Sequence, residues 1–381
     1  MLSMSFYRCA GEFINSTAHS STGRLSGDQT GIDTLPDNVL LDIFDFSRLI
    51  TCQGRYWKWH KLVLVCRRWR ELIFESPRRL QLELVCKPGT PVRRTLGCWR
   101  PNLPLVITFY RFGDLPGALD DDEDDIIAAL EQRDRVREIY IDATNSLLGK
   151  LVKAMEEPFV ALRSLWLSSK QHGGAAVAPI LSDGFLGGSA PSLVDFSLEG
   201  IPFPALPKLL LSTSTRNLSY LRLEDIPPII GYIPPEEMAI GLSALTNLQT
   251  LQIQFQSPTT TSSRRLLPPP TTIRRINLPS LFSFIFRGTT DYLEDLLVRI
   301  DAPVLGDFNI TFFNQLFLNT PQLSQFISRT EALNSFNRAS FYYDYPNPHL
   351  LLYNKPMNGD DDDDDDDDKN RSLSLKILCK H

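Results

Sequence analysis

Seven times between residues 136 and 310 the chain repeats one short pattern: an apolar residue, two of any kind, an apolar residue, one of any kind, and another apolar residue. The copies are VREIYI from Val136, LRSLWL from Leu162, LVDFSL from Leu193, LSYLRL from Leu218, LQTLQI from Leu248, LFSFIF from Leu281 and LGDFNI from Leu305. The alternation at the end of each copy marks a strand with one buried face. Between copies lie stretches of helical spacing, such as NSLLGKLVKAMEE and DYLEDLLVRI. A strand with a returning helix leaves an apolar face that is buried only when such units stack.

Successive copies start 26, 31, 25, 30, 33 and 24 residues apart. The shorter intervals fall within the roughly 20–29 residues of leucine-rich repeats, and the longer ones require insertions. The phrases APSL, TNL and LPSL recur as approaches to the strands, which favours stacking. The asparagine that usually follows the strand is mostly missing, so an ordinary α/β domain with leucine-bearing strands stays open as the alternative. Downstream, NTPQLSQFISRTEALNSFNRA has helical spacing, and ASFYYDYPNPHLLLYNKP is aromatic, strand-like material suited to capping the array.

Upstream the pattern changes. Residues 1–31 are rich in Ser, Thr and Gly without a steady period and are expected to be a flexible leader. Order is expected from LPDNVLLDIFDF, where Pro36 suits a first helical turn, Asp37 puts negative charge at the N-terminus, and Val39, Leu40, Ile43 and Phe44 recur at helical spacing. After a polar break around TCQGRY, the stretch WHKLVLVCRRWRELIFESP predicts a second helix with Leu62, Val65, Trp69, Leu72 and Ile73 on one face and Pro77 limiting its end. Two short amphipathic helices cannot bury both faces against each other, so a third element or a partner is required. The alternation of Leu80, Leu82, Leu84 and Cys86 predicts a strand, a connection with four prolines follows, and LPLVITFY predicts a second strand.

The chemistry-bearing residues point away from catalysis. There is no G-x-G-x-x-G, no G-x-x-x-x-G-K-[ST] and no H-E-x-x-H, and the five histidines at 19, 60, 172, 349 and 381 are dispersed. The six cysteines at 9, 52, 66, 86, 98 and 379 form no C-x-x-C pair, which leans toward a reducing compartment, cytoplasmic or nuclear. In that setting the triplets at Asn217 and Asn309 are not expected to be glycosylated. Cys66 has Arg67 and Arg68 beside it but lies in an apolar-periodic segment, where cysteine serves as a small hydrophobe. Asp120, Asp122, Asp124 and Glu131 have calcium-loop spacing, but Asp125 stands where the loop's turn needs glycine; an acidic loop ending against a helix N-terminus is the expectation.

Nine consecutive aspartates, Asp360–Asp368, account for more than the whole net charge: −6 becomes +3 when they are set aside. They are expected to lie in a mostly disordered acidic tail, which as a lure for basic partners would alter association rate more than fold. The nearly neutral body argues against nucleic-acid binding, as does the interruption of Arg67, Arg68, Arg70, Arg78 and Arg79 by Glu71 and Glu75. The N-terminus lacks the apolar core of a secretory signal, and no run of eighteen apolar residues suits a bilayer. No cofactor, metal or enzymatic activity is expected.

LPDNVLLDIFDF followed by HKLVLVCRRWRELI resembles the F-box, and the segment through SPRRLQLELVCKPGTPVRRTL is similar to fungal F-box proteins with degenerate leucine-rich repeats. The resemblance implies a small helical domain over 32–76 that docks on the Skp adaptor of an SCF-type cullin-RING ubiquitin ligase. It implies a C-terminal domain that holds a protein substrate of unknown identity for ubiquitin-dependent degradation. Leu35 and Pro36 match the opening pair, Leu40, Ile43 and Phe44 the first helix with its apolar anchors, and Val65, Cys66 and Trp69 the second helix. That set divides between adaptor contact and the small domain's own core. The segment SRLITCQGRYWKW is longer and more polar than the usual link, which favours the competing reading of a non-catalytic interaction protein outside a ligase. The expected organisation is a leader over 1–31, the F-box-like domain over 32–76, a linker and N-terminal cap over 77–135, an irregular leucine-rich-repeat-like α/β solenoid over 136–355, and the acidic tail over 356–381.

Overall fold

Pro36 opens helix α1 (Asp37–Thr51), its carbonyl accepting hydrogen bonds from the backbone N–H groups of Val39 and Leu40, both at 3.0 Å. In the computed structural model this helix belongs to the first of two compact units, Met1–Gln81 and Leu82–His381. The residues described are 32–51, 59–89, 91–98, 101–110, 119–169, 179–182, 184–202, 216–227, 233–256, 275–313, 320–334, 338–344, 347–353 and 372–378. The leader and the nine-aspartate run lie outside them.

In the first unit, Leu40, Leu41 and Phe44 form the buried side of α1. The expected single second helix is corrected to a 3₁₀ helix, Trp59–Leu64, and a separate helix α2 (Arg67–Glu75). The break has a local cause. Cys66 is extended, with φ −154° and ψ 169°, and its sulfur accepts the Trp69 backbone N–H at 3.4 Å, capping α2 in the way an N-terminal hydroxyl or carboxylate does. Trp69, Leu72 and Ile73 face inward, and the Trp69 ring meets Phe44 edge to face at 4.8 Å. Helix α2 ends at Glu75, two residues before Pro77.

The second unit is a mixed α/β fold with a large, mostly parallel sheet. Its strands are β1 (Leu84–Cys86), β2 (Leu105–Tyr110), β3 (Val136–Ala143), β4 (Ser164–Ser169), β5 (Asp195–Glu199), β6 (Tyr220–Ile226), β7 (Thr250–Phe255), β8 (Ile276–Asn277), β9 (Ser283–Gly288), β10 (Ile300–Asp301), β11 (Asp307–Phe313), β12 (Arg338–Asp344), β13 (Asn347–Tyr353) and β14 (Ser372–Leu378). The large sheet runs β1-β2-β3-β4-β5-β6-β7-β9-β11-β14-β13-β12, while β8 and β10 pair separately. The pairs from β1 to β14 in that order are parallel, and β13 and β12 add antiparallel strands. The first expected strand is shorter than its alternation: Gln81 takes a left-handed φ of 48°, which breaks the extended run, and pairing begins only at Leu84. The expected acidic tail is corrected at its far end, where Ser372–Leu378 is β14, held between β11 and β13.

All seven recurrences fall on neighbouring strands: β3, β4, β5, β6, β7, β9 and β11. Their register is uniform, with Ile139, Leu165, Phe196, Leu221, Leu251, Phe284 and Phe308 in one row and Ile141, Leu167, Leu198, Leu223, Ile253, Phe286 and Ile310 in the next. These residues and the leading residue of every copy are at most 2% exposed. Full burial of each such side chain contributes about 1.5–3 kcal/mol before the entropy cost of ordering the chain. The recurring approach phrases also have a physical role. Asn217 Nδ2 donates to the Pro191 carbonyl at 3.1 Å and Asn247 Nδ2 to the Arg216 carbonyl at 2.9 Å, each tying one approach turn to the turn before it.

The helices of this unit are α3 (Val92–Cys98), α4 (Leu119–Leu130), α5 (Asn145–Ala154), α6 (Pro235–Leu242), α7 (Thr290–Leu297), α8 (Pro321–Arg329) and α9 (Glu331–Asn334). Tyr292 of α7 stacks on Phe286 at 6.0 Å, and Phe326 of α8 meets Phe308 edge to face at 5.9 Å, so these helices cover the apolar rows. The Glu294 carboxylate of α7 accepts the Gln322 and Leu323 N–H groups at 2.7 and 2.8 Å, capping α8 across the helix boundary. Asp120, Asp122 and Asp124 lie within α4, which corrects the expected acidic loop and removes the loop geometry that a calcium site of that spacing needs.

Cys86 is buried in β1, and burial pushes its thiol up to about 12 against the opposing charge of Arg135. The thiol of an unfolded chain titrates at about 8.5, so the folded state holds this proton more tightly; the site's contribution to stability is intact below that pH and declines as pH rises toward the folded value. Cys86 is therefore expected to resist iodoacetamide at pH 8 in the native chain and to react after denaturation, as read by peptide mass mapping; labelling in the native chain at the denatured rate contradicts this burial.

Candidate docking surfaces

The matched residues of the first unit separate by environment. Leu40, Phe44 and Trp69 are core, Leu35 and Cys66 are half-buried, and Pro36 is exposed. Ile43 is 40% exposed and Val65 59%, although a continuous second helix had set Val65 on the same face as Trp69. The break before α2 turns Val65 outward. Three further apolar residues share this exposure and were not singled out from the sequence: Phe46 at 63%, Leu64 at 50% and Ile32 at 47%. Phe46 could have been found, since it lies three residues after Ile43 on α1, where side chains are neighbours. Leu64 could not, because its exposure depends on where the 3₁₀ helix stops.

The arginines of VCRRWREL are engaged within the unit. Arg68 donates to the Asp37 carboxylate at 2.6 Å and to the Leu35 carbonyl at 2.6 Å, tying the Leu-Pro opening to α2. Arg67 pairs with Glu71 at 2.8 Å, Arg70 donates to the Val63 carbonyl at 3.0 Å, and Arg79 pairs with Asp42. These contacts tie the arginines to neighbouring groups of the same unit, whose exposed surface also carries apolar side chains.

The sheet has a second surface, opposite its apolar rows. Strand alternation and register set Glu138, Ser164, Asp195 and Tyr220 in one row, Tyr140, Trp166, Ser197 and Arg222 in the next, and Asp142, Ser168, Glu199 and Glu224 in a third. Five of these twelve residues are carboxylates and one is a cation, so this part of the face is negative. Arg222 pairs with Glu224, which also accepts from Gln252. The Tyr110 and Trp166 rings lie 5.8 Å apart, and the Tyr140 hydroxyl donates to Ser164 at 3.3 Å. Burial raises the Asp195 carboxyl above its ordinary range against an opposing hydrogen bond with Ser164. Burial raises Glu83 too, with the charge of Glu138 adding and Arg137 opposing. Ser164, Trp166, Arg222 and Glu224 lie together here, and Arg163 is exposed just before β4.

Among the described residues no cluster of His, Cys, Asp and Glu could hold a metal ion, and no helix is long and apolar enough to cross a membrane. No protein-family model matches the chain, and no curated protein matches it.

Proposed function

We propose that the chain is the substrate-recognition subunit of an SCF-type cullin-RING ubiquitin ligase, docking on the Skp adaptor through residues 32–76 and holding a protein substrate on the sheet unit. On this reading the first unit is an F-box and the second an irregular leucine-rich-repeat solenoid. The observation that carries it is the division within the first unit: Phe44 and Trp69 close a core, while Ile43, Phe46, Leu64 and Val65 stay exposed on so small a body. Ile43 and Phe46 lie one turn apart on α1 and Leu64 and Val65 are adjacent in the chain, and paired exposed apolar side chains of this kind suit a surface that another protein covers. The in-order parallel strands carrying all seven recurrences support the repeat reading.

The mechanism requires no nucleophile from this chain. Holding a substrate beside an enzyme loaded with ubiquitin elsewhere in the complex raises the effective concentration of its lysines and turns a bimolecular encounter into a local one. Each apolar side chain fully covered by the adaptor contributes about 1.5–3 kcal/mol before association costs.

The test is co-purification of the full chain with the Skp adaptor, followed by detection of cullin. Ile43→Asp and Val65→Asp alter exposed positions and leave the core in place, so each is expected to cut adaptor capture about tenfold or more, since the apolar contact is lost and a charge is desolvated. Undiminished capture by both variants overturns docking through this surface. An intact chain that captures neither adaptor nor cullin favours an interaction protein acting outside a ligase.

A further inference from the structure

We infer that the polar face of the sheet over β3–β6 binds an arginine-rich segment of another protein; calling that protein the ligase substrate rests on the proposed function, whereas the docking is read from the face itself. Charge comes first. In the three rows across β3–β6 five carboxylates stand against Arg222, an excess of four negative charges, while Arg137 at the start of β3 pairs with Glu83 at 3.4 Å. Burial already holds Asp195 above its ordinary titration range, a penalty on the charged form that a docked cation relieves. The chain's own acidic run, Asp360–Asp368, has the same sign and so does not complement this face.

Aromatic placement favours arginine over lysine. Trp166 has Tyr140 beside it in register and Tyr110 at 5.8 Å, which gives ring surface next to the carboxylates. A guanidinium stacks on such rings and donates to carboxylates with its planar fork, whereas an ammonium is a compact, strongly hydrated point charge. A third observation is independent of charge. The Ser168 and Ser197 hydroxyls, on this same face, are buried without a hydrogen-bond partner. Ser168 lies in register between Asp142 and Glu199, and Ser197 between Trp166 and Arg222. Buried hydroxyls are nearly always partnered, and the many N–H donors of an arginine segment entering between the flanking side chains supply what these two lack.

The experiment is fluorescence anisotropy with a labelled nine-arginine peptide and a nine-lysine peptide, using the full chain. Because Asp360–Asp368 would also attract these probes, it is repeated in a full-length variant with those aspartates changed to serine. Binding of the arginine peptide is expected to persist in that variant and to weaken about tenfold when Glu138→Gln, Asp195→Asn and Glu199→Gln are combined, since each partly exposed charge pair contributes modestly. The single changes Glu199→Gln and Trp166→Leu, which spare the fold if the triple does not, are each expected to weaken it about two- to fivefold. The lysine peptide is expected to bind several-fold more weakly. Binding that vanishes with the nine aspartates, or that ignores every face substitution, overturns the inference, and equal affinity for lysine overturns the assignment of arginine. Adaptor capture measured on the same proteins separates the two ideas: peptide binding without capture leaves the face standing and fails the ligase reading, and capture without peptide binding does the reverse.

Discussion

Phe44→Ala is expected to unfold the helical unit and leave the sheet unit's own melting transition in place. Phe44 is almost wholly buried and meets Trp69 edge to face at 4.8 Å, so truncation removes both transfer free energy and an aromatic contact between α1 and α2. Phenylalanine-to-alanine changes in a core cost about 3–5 kcal/mol. Small bodies have little to lose: at roughly 0.05–0.15 kcal/mol per residue, a helical unit of this length is stabilised by a few kcal/mol in all. Calorimetry should therefore show the first transition lost and the second unchanged, with α1 newly open to protease. Ile43→Ala, at an exposed position of the same helix, should move neither transition by more than about 1 kcal/mol. An unaltered first transition in Phe44→Ala contradicts the core described here, and one shared transition shifting as a whole contradicts independent units.

The second large effect belongs to the sheet unit, at a position without a side chain. Gly200 follows β5 with φ +69°, donates its N–H to the Glu224 carbonyl at 2.9 Å, and leaves no room for a methyl group: a Cβ there would stand 2.7 Å from the Ser169 carbonyl oxygen. Gly200→Ala thus combines left-handed backbone strain, about 1–3 kcal/mol, with a similar cost for moving a backbone carbonyl at the end of β4. Gly89 separates the two contributions. Its φ is +73°, but nothing lies within 4 Å of an added Cβ, so Gly89→Ala should carry the backbone strain alone. Denaturant melts of the sheet transition should show Gly200→Ala clearly more destabilised than Gly89→Ala. Equal losses contradict the close approach of Gly200 to β4.

How far the structure could be read in advance varied with the range of the forces involved. The seven-fold apolar pattern foretold its strands because alternation is a property of consecutive residues; the last four residues of every copy lie on a strand, and all three apolar positions are buried. The helical spacing in NSLLGKLVKAMEE and DYLEDLLVRI likewise foretold α5 and α7. Where alternation met a local exception the reading overran. Leu80 and Leu82 are buried as the pattern requires, yet a single left-handed residue, Gln81, keeps them out of the strand. The single second helix expected in the first unit failed for a comparable reason, because the Cys66 sulfur offers the backbone a cap that hydrophobic periodicity does not register.

The candidate surfaces were legible as residue types and not as faces. Leu35, Pro36, Leu40, Ile43, Phe44, Val65, Cys66 and Trp69 could be singled out together, but their separation into core and surface rests on contacts between residues about 25 to 33 apart, such as Phe44 with Trp69 and Arg68 with Leu35 and Asp37. The negative face of the sheet is further removed. Its carboxylates come from four different strands, and only the register of parallel pairing brings Glu138, Asp195 and Glu199 into one field.

The order of residues alone dictates which side chains must leave water, since periods of two and of about 3.6 residues assign them to one side of a strand or helix before any long-range contact forms. It determined too that the nine aspartates, and not the body, set the sign of the net charge. Only the folded arrangement settled which apolar residues of the first unit remained uncovered, that Ser372–Leu378 joined the sheet, and which polar residues became neighbours. The physical reason is range: burial preference is written in local spacing, whereas exposure, register and electrostatic fields are set by whichever distant segment packs alongside.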